Sequence, residues 1–133
     1  MSESARIKYL SLALRAFATV FVVGVYPLTV LWPSGWCWSP GQSEYLQMII
    51  GLYATLGIFL WLASSDPERH LSLVSFTIWS SVVHATVMAV QSIGSPQNLG
   101  HLFGDVPALF IVAAVLGWLS PRALRLKFSA NAA

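Results

Sequence analysis

Four stretches of this sequence are each apolar over close to the roughly 20 residues that a helix needs to cross about 30 Å of hydrocarbon. They run from about Tyr9 to Trp32, from Tyr45 to Ala63, from Leu71 to Gln91 and from Leu102 to Leu119, and each is bounded by Pro, Gly, Ser or charge. Lipid offers no water to an unpaired backbone group, so an apolar segment that spans it must pair its own amides as a helix. The expected fold class is therefore all-α: a single, membrane-embedded four-helix bundle over residues 1–133. Composition agrees, because 56% of residues are hydrophobic and only 9% are charged, against about 25% charged in a soluble domain. A soluble chain so poor in charge would expose large apolar patches and aggregate.

The direction of the bundle follows from its basic residues, which are retained on the cytoplasmic side of a membrane. With the N-terminus inside, all 7 Lys and Arg fall on one side: Arg6, Lys8, Arg15, Arg69, Arg122, Arg125 and Lys127. The opposite loops, Pro33 to Glu44 and Ser92 to His101, carry none. Both termini are expected in the cytoplasm. Arg15 lies within the first apolar stretch, near enough to its start to snorkel to the headgroups, with a pair to Asp66 or Glu68 as the alternative. The apolar run that follows Met1 to Lys8 is too long for a signal-peptide core and reads as a retained first helix. Trp32, Trp36 and Trp38 crowd its far end, while Tyr9, Trp61 and Trp118 mark the basic side, as interfacial aromatics do. Pro27 removes a backbone donor inside that helix and predicts a kink.

Helix-start signals sit at Ser65-Asp66-Pro67-Glu68 and at Asp105-Val106-Pro107, where a carboxylate precedes an early proline. The fourth segment has a continuous apolar run only from Val106 to Leu119, so Leu102-Phe103-Gly104 is expected at membrane depth, or the bilayer thins. Gly51, Thr55 and Gly57 provide small residues for close helix contact. The basic tail from Arg122 to Lys127, with Leu124, Leu126 and Phe128 between, reads as an interfacial segment drawn to anionic lipid.

Chemistry is concentrated in the third segment. At helical spacing Thr77, Ser81, His84, Met88 and Gln91 share a face, and polar residues inside a span usually face the bundle interior or a cavity. His84 lies almost midway along, beyond the reach of snorkelling. It is either a proton-carrying, metal-ligating or ligand-binding group, since imidazole titrates near pH 6.5, or a neutral ring that glues helices together at roughly 0.6 kcal/mol. A second constellation lies at the far end, where Glu44, Gln91, His101 and Asp105 would converge above His84 under a roof of Trp36 and Trp38. The bland alternative makes Glu44 and Asp105 helix N-caps and His101 a solvated loop residue.

Several classes find no support. No HxxxH or HxxE spacing is present, so neither a metal site nor a cofactor is expected. The basic residues form no stripe that could follow a phosphate backbone, so no nucleic acid is expected as a partner. Cys37 is the single cysteine, and no internal disulfide or paired thiol motif exists. There is no nucleophile elbow, no phosphate-cradling glycine loop and no pair of intramembrane carboxylates, and catalysis is not expected.

With these segments in view, Tyr26-Pro27-Leu28-Thr29-Val30-Leu31-Trp32-Pro33-Ser34-Gly35-Trp36, Tyr45-Leu46-Gln47-Met48-Ile49, Trp79-Ser80-Ser81-Val82-Val83-His84-Ala85 and Gly100-His101-Leu102-Phe103-Gly104-Asp105-Val106-Pro107-Ala108-Leu109 carry a resemblance. On them the chain resembles a bacterial family of small four-helix integral membrane proteins of unknown function, from about residue 20 to 121. More remotely, by length and hydropathy, it is similar to the DoxX-like set of four-helix membrane proteins. The resemblance implies a bacterial inner membrane and is silent about activity. The expected function is binding of a small ligand, lipid or quinone-like molecule in an outward-facing polar cavity lined by Thr77, Ser81, His84, Gln91, Glu44, His101, Asp105 and Trp36. The alternatives are an accessory subunit of a larger membrane complex, with Gly51, Thr55 and Gly57 turned to the partner, and a dimeric proton- or metal-coupled permease. The bilayer, a small-molecule or lipid ligand, and a second copy or larger complex are the expected partners.

Overall fold

A computed structural model describes residues 1–121, whose regular structure is all helical, with no strand among them. The expectations for Arg122, Arg125, Lys127 and the tail beyond lie outside the described residues. Six α-helices follow in order: α1 (Glu3–Thr19), α2 (Val25–Leu31), α3 (Pro33–Trp36), α4 (Glu44–Ala63), α5 (Leu71–Ile93) and α6 (Asp105–Leu119). A π-helical stretch, Val20–Gly24, joins α1 to α2, and 3-10 turns at Pro67–His70 and Pro96–Leu102 lead into α5 and α6. Joined in this way, the described residues form four helices long and apolar enough to cross a membrane: Glu3–Leu31, Glu44–Ala63, Pro67–Ile93 and Pro96–Leu119.

Each boundary has a local cause. Ser2 starts α1 by accepting from the Ala5 amide, and Ser43 starts α4 by accepting from the Leu46 amide at 3.2 Å, the ordinary service of an N-cap serine. Glu44 therefore sits in the first turn, where its charge complements the helix dipole, and the cap itself is Ser43. The disruption expected at Pro27 takes the form of the π stretch just before it. A proline ring clashes with the carbonyl four residues back, here that of Val23, and a widened turn is one of the few ways a helix relieves such a conflict without ending. The fourth span begins before its apolar run because the 3-10 turn from Pro96 is continuous with it.

The four spans run alternately up and down. Arg6 reaches the main-chain carbonyl of Trp118 at the end of α6, and the Arg15 Nε donates to Ser64 Oγ, 3.1 Å away, at the end of α4. Ser11 bonds the Ser64 carbonyl as well. These contacts put the start of α1 beside the ends of α4 and α6, with Arg6, Lys8, Arg15 and Arg69 all at this basic end. Arg15 thus pairs with neither Asp66 nor Glu68; Asp66 is held by Arg69 at 2.9 Å. Guanidinium groups at helix C-termini also complement the dipoles there.

Packing is uneven around the bundle. α1 packs on α4 and α6, and α5 packs on α6, but α4 and α5 barely touch although they are neighbours in sequence. The basic half has a filled core of Leu10, Leu14, Ala18, Phe21, Leu60, Val74, Val112, Leu116 and Leu119. In the far half the core shrinks to Ala85, Met88, Val106 and Leu109, between α5 and α6 alone. Gly57 sets the closest approach of α4: a Cβ there would stand 2.8 Å from Val22 Cγ2 and 2.9 Å from the Ala18 carbonyl oxygen. The three small residues of α4 are therefore split, with Gly57 buried inside the bundle and Gly51 and Thr55 exposed outside it.

Candidate functional site

The thinning of the far half leaves a cavity of about 490 Å³ among the π stretch, α2, α3, α4, α5 and α6. Its wall is overwhelmingly apolar, from Phe17, Phe21, Ile50, Leu109 and Val112 among others, with Trp36 and Trp38 at its far end. The polar groups that reach it are few: Thr29, Ser43, Tyr53, His84 and Asp105. No Lys or Arg among the described residues lines it.

His84 is held by a residue that the spacing of α5 alone does not reveal. Its Nδ1 lies 2.7 Å from the Tyr53 hydroxyl of α4, and the two rings stack at 5.9 Å. Tyr53 is in turn fixed edge-on against Phe21 of the π stretch at 5.0 Å. One ring nitrogen is engaged and the other, Nε2, makes no hydrogen bond among the described residues. The buried face of α5 is Val74, Thr77, Ser81, Ala85, Met88 and Ser92. It runs one position round from the expected stripe, so His84 sits at its edge, facing α4, and Gln91 is exposed. Thr77 turns its hydroxyl back to the Leu73 carbonyl at 2.9 Å, and Thr77 and Ser81 are packed in the helix contact without lining the cavity. Glu44 is exposed and also stands outside it.

The second constellation is built around His101, which is 1% exposed and no solvated loop residue. Nδ1 lies 2.8 Å from Asp105 Oδ2, Nε2 lies 3.2 Å from the Cys37 carbonyl oxygen, and Trp38 stacks on the ring at 4.1 Å. A carbonyl can only accept, so Nε2 carries a hydrogen and donates it. One proton is then left between Nδ1 and Oδ2. Whether it rests on the ring or on the carboxyl, the pair as a whole is neutral, which is how a buried carboxylate avoids an isolated charge. Asp105 opens α6 but is not its side-chain cap; Gly104 holds the cap position and the carboxylate is committed to His101.

Backbone contact makes this possible. A Cβ on Gly100 would lie 2.2 Å from the Ser34 carbonyl oxygen, and one on Gly104 would lie 2.3 Å from that of Gly35. The short helix α3 therefore rests directly on the chain that enters α6, which brings Cys37 and Trp38 onto His101. Cys37 donates through Sγ to the Thr29 carbonyl at 3.3 Å, and burial, then the nearby Asp105 carboxylate, push its thiol pKa above the ordinary value. Three polar atoms at this end are buried without a well-formed hydrogen bond among the described residues: Trp36 Nε1, Ser92 Oγ and Asp105 Oδ1. Trp36, His84 and Asp105 thus share the cavity wall, and His101 stands behind Asp105. Among the described residues no three His, Cys, Asp or Glu converge as a metal site.

Four long apolar helices with such a cavity define the class: an all-helical, multi-pass membrane protein. The chain belongs to a family of unknown function, DUF6632, whose model matches residues 4–132. No curated protein and no solved structure matches it.

Proposed function

We propose that this protein binds a neutral, lipid-soluble molecule with a hydrogen-bonding head, such as a quinone or a carbonyl-bearing lipid, in the cavity between Trp36 and His84. The observation that carries this reading is His84 itself: an imidazole in mid-span on the wall of an apolar cavity, fixed by Tyr53 through one nitrogen, with no hydrogen bond to the other among the described residues. An unpaired polar group in hydrocarbon costs several kcal/mol, and a ligand carbonyl or hydroxyl would meet that need. Apolar clefts with a few convergent polar groups are the usual form of small-molecule sites. With no Lys or Arg among the described residues of its wall, the cavity suits a neutral head better than a phosphate.

In this reading the protein resides in a bacterial inner membrane, with both termini cytoplasmic and the cavity toward the other side. Arg6, Lys8, Arg15 and Arg69, every Lys and Arg among the described residues, lie at one end and support that orientation. Similarity to DoxX-like bundles adds no residue to it. The accessory-subunit reading keeps the exposed Gly51 and Thr55 as a surface, while Gly57 is already used within the bundle.

Decylubiquinone, a neutral carbonyl-bearing probe, tests the proposal in a thermal-unfolding assay of the purified protein. It should raise the unfolding temperature of the wild type and leave His84→Leu, folded without ligand, unshifted. An equal response of the two proteins would contradict the site.

A further inference from the structure

A second space of about 290 Å³ lies between α4 and α5, where those helices fail to pack. Its wall is made by Leu52, Leu56 and Phe59 on one side and by Leu73, Phe76 and Ser80 on the other. Leu52, Phe59 and Phe76 are more than half exposed, on helices apolar enough to span a membrane, so in a bilayer this groove faces acyl chains. Among the described residues, three line both spaces: Ile49, Tyr53 and His84. Between the groove and the cavity stand Ile49, Tyr53 and His84, the last two joined by one hydrogen bond of 2.7 Å between side chains of different helices.

From this arrangement, and resting on the binding reading above, we infer that the ligand is a bilayer-dissolved lipid that reaches the cavity sideways, between α4 and α5, past the Tyr53–His84 pair. The chemistry of the passage fits a neutral head on an apolar chain. The groove offers the chain only apolar and aromatic side chains apart from Thr55 and Ser80, and both hydroxyls are occupied by carbonyls of their own helices, Gly51 and Thr77. At the passage the head meets a hydroxyl and an imidazole that can each donate or accept, so it exchanges the Tyr53–His84 bond for bonds of its own and is never left unpaired in hydrocarbon. An anionic head would find no Lys or Arg among the described residues lining either space.

The test uses the full chain in phosphatidylcholine vesicles with decylubiquinone as probe. Loading is followed by stopped-flow quenching of Trp36 and Trp38, and quenching outside the cavity is subtracted with the cavity-filling variant Ala108→Phe. Two variants move the passage in opposite directions. Ser80→Phe narrows the groove without touching the cavity wall, and Tyr53→Phe keeps the ring but deletes the bond that closes the way. Thermal unfolding without probe confirms that each is folded. Ser80→Phe should slow loading by roughly one to three orders of magnitude, the span over which association rates respond to changes at one interface, with unchanged final quenching, and Tyr53→Phe should speed it. Equal loading rates in wild type and Ser80→Phe would overturn the lateral route while leaving the cavity intact as a site. No cavity-specific quenching in the wild type would overturn the site and the route together.

Discussion

His101 is gripped by two acceptors and a stacked indole, and a buried ring of that kind loses more when a partner is removed than the contact itself contributes. Asp105→Ala would take away the partner of the His101 Nδ1. Breaking one side of a buried charged pair costs about 3–5 kcal/mol, and a loss in that range is expected from equilibrium unfolding in mixed micelles. Asp105→Asn keeps a hydrogen bond to Nδ1 through its amide, and a smaller loss of about 1 kcal/mol is expected. If both variants were as stable as wild type, the pair would not be holding α3 to α6. Cys37 gives a pH-dependent readout at the same spot. Its thiol pKa lies above the ordinary value because burial and the Asp105 carboxylate both disfavour thiolate, and thiolate is the reactive form. Alkylation by iodoacetamide should stay slow at neutral pH and rise only as the pH climbs through that raised value. Asp105→Asn removes the like charge and should shift the rise to lower pH; a shift to higher pH would contradict the assigned cause.

At the scale of elements, contact between helices in lipid depends on how closely backbones can approach, because there is no apolar surface left to bury away from water. Gly57→Ala should therefore destabilise by about 1–3 kcal/mol, the ordinary cost of overpacking, since its Cβ would meet the Ala18 carbonyl and Val22. Gly51→Ala, with nothing within 4 Å of the new methyl, should leave the unfolding midpoint unchanged. The reverse ranking would mean that α4 presents its other face to α1. The long apolar runs made the four spans legible in the sequence, as runs of about 20 apolar residues usually do, and Pro27 marked where the first would be disturbed. The seam of α5 was legible only to within one position. A span that is apolar all round offers no sharp polarity contrast to locate its buried face, so Gln91 was grouped with His84 although it points away. Tyr53 was hidden for the same reason: an aromatic in an apolar run looks like any other lipid-facing side chain until the fold places it 2.7 Å from an imidazole. His101 and Asp105 stood out by their chemistry, yet their burial depends on Gly100 meeting Ser34 and Gly104 meeting Gly35, across 66 and 69 residues of chain, and no local pattern carries that.

For the whole molecule, the uneven packing is the central feature. A filled core at the basic end holds the bundle together, latched by Arg6 and Arg15 onto the ends of α6 and α4, while the far end is left partly hollow under Trp36 and Trp38. The orientation has its own check: reporters fused before α1 and after the last residue should both be active only as cytoplasmic proteins, and one reporter on each side would overturn the alternating arrangement. The cavity is tested most directly by what stays in it. The protein, purified in mild detergent from the membrane in which it is made, should carry a neutral lipid or quinone, identified by mass spectrometry and enriched over the bulk membrane extract. Ala108→Phe, grown into the cavity from α6, should come through the same purification folded but without that molecule. A wild-type protein holding only the bulk lipid mixture, no different from Ala108→Phe, would contradict the account.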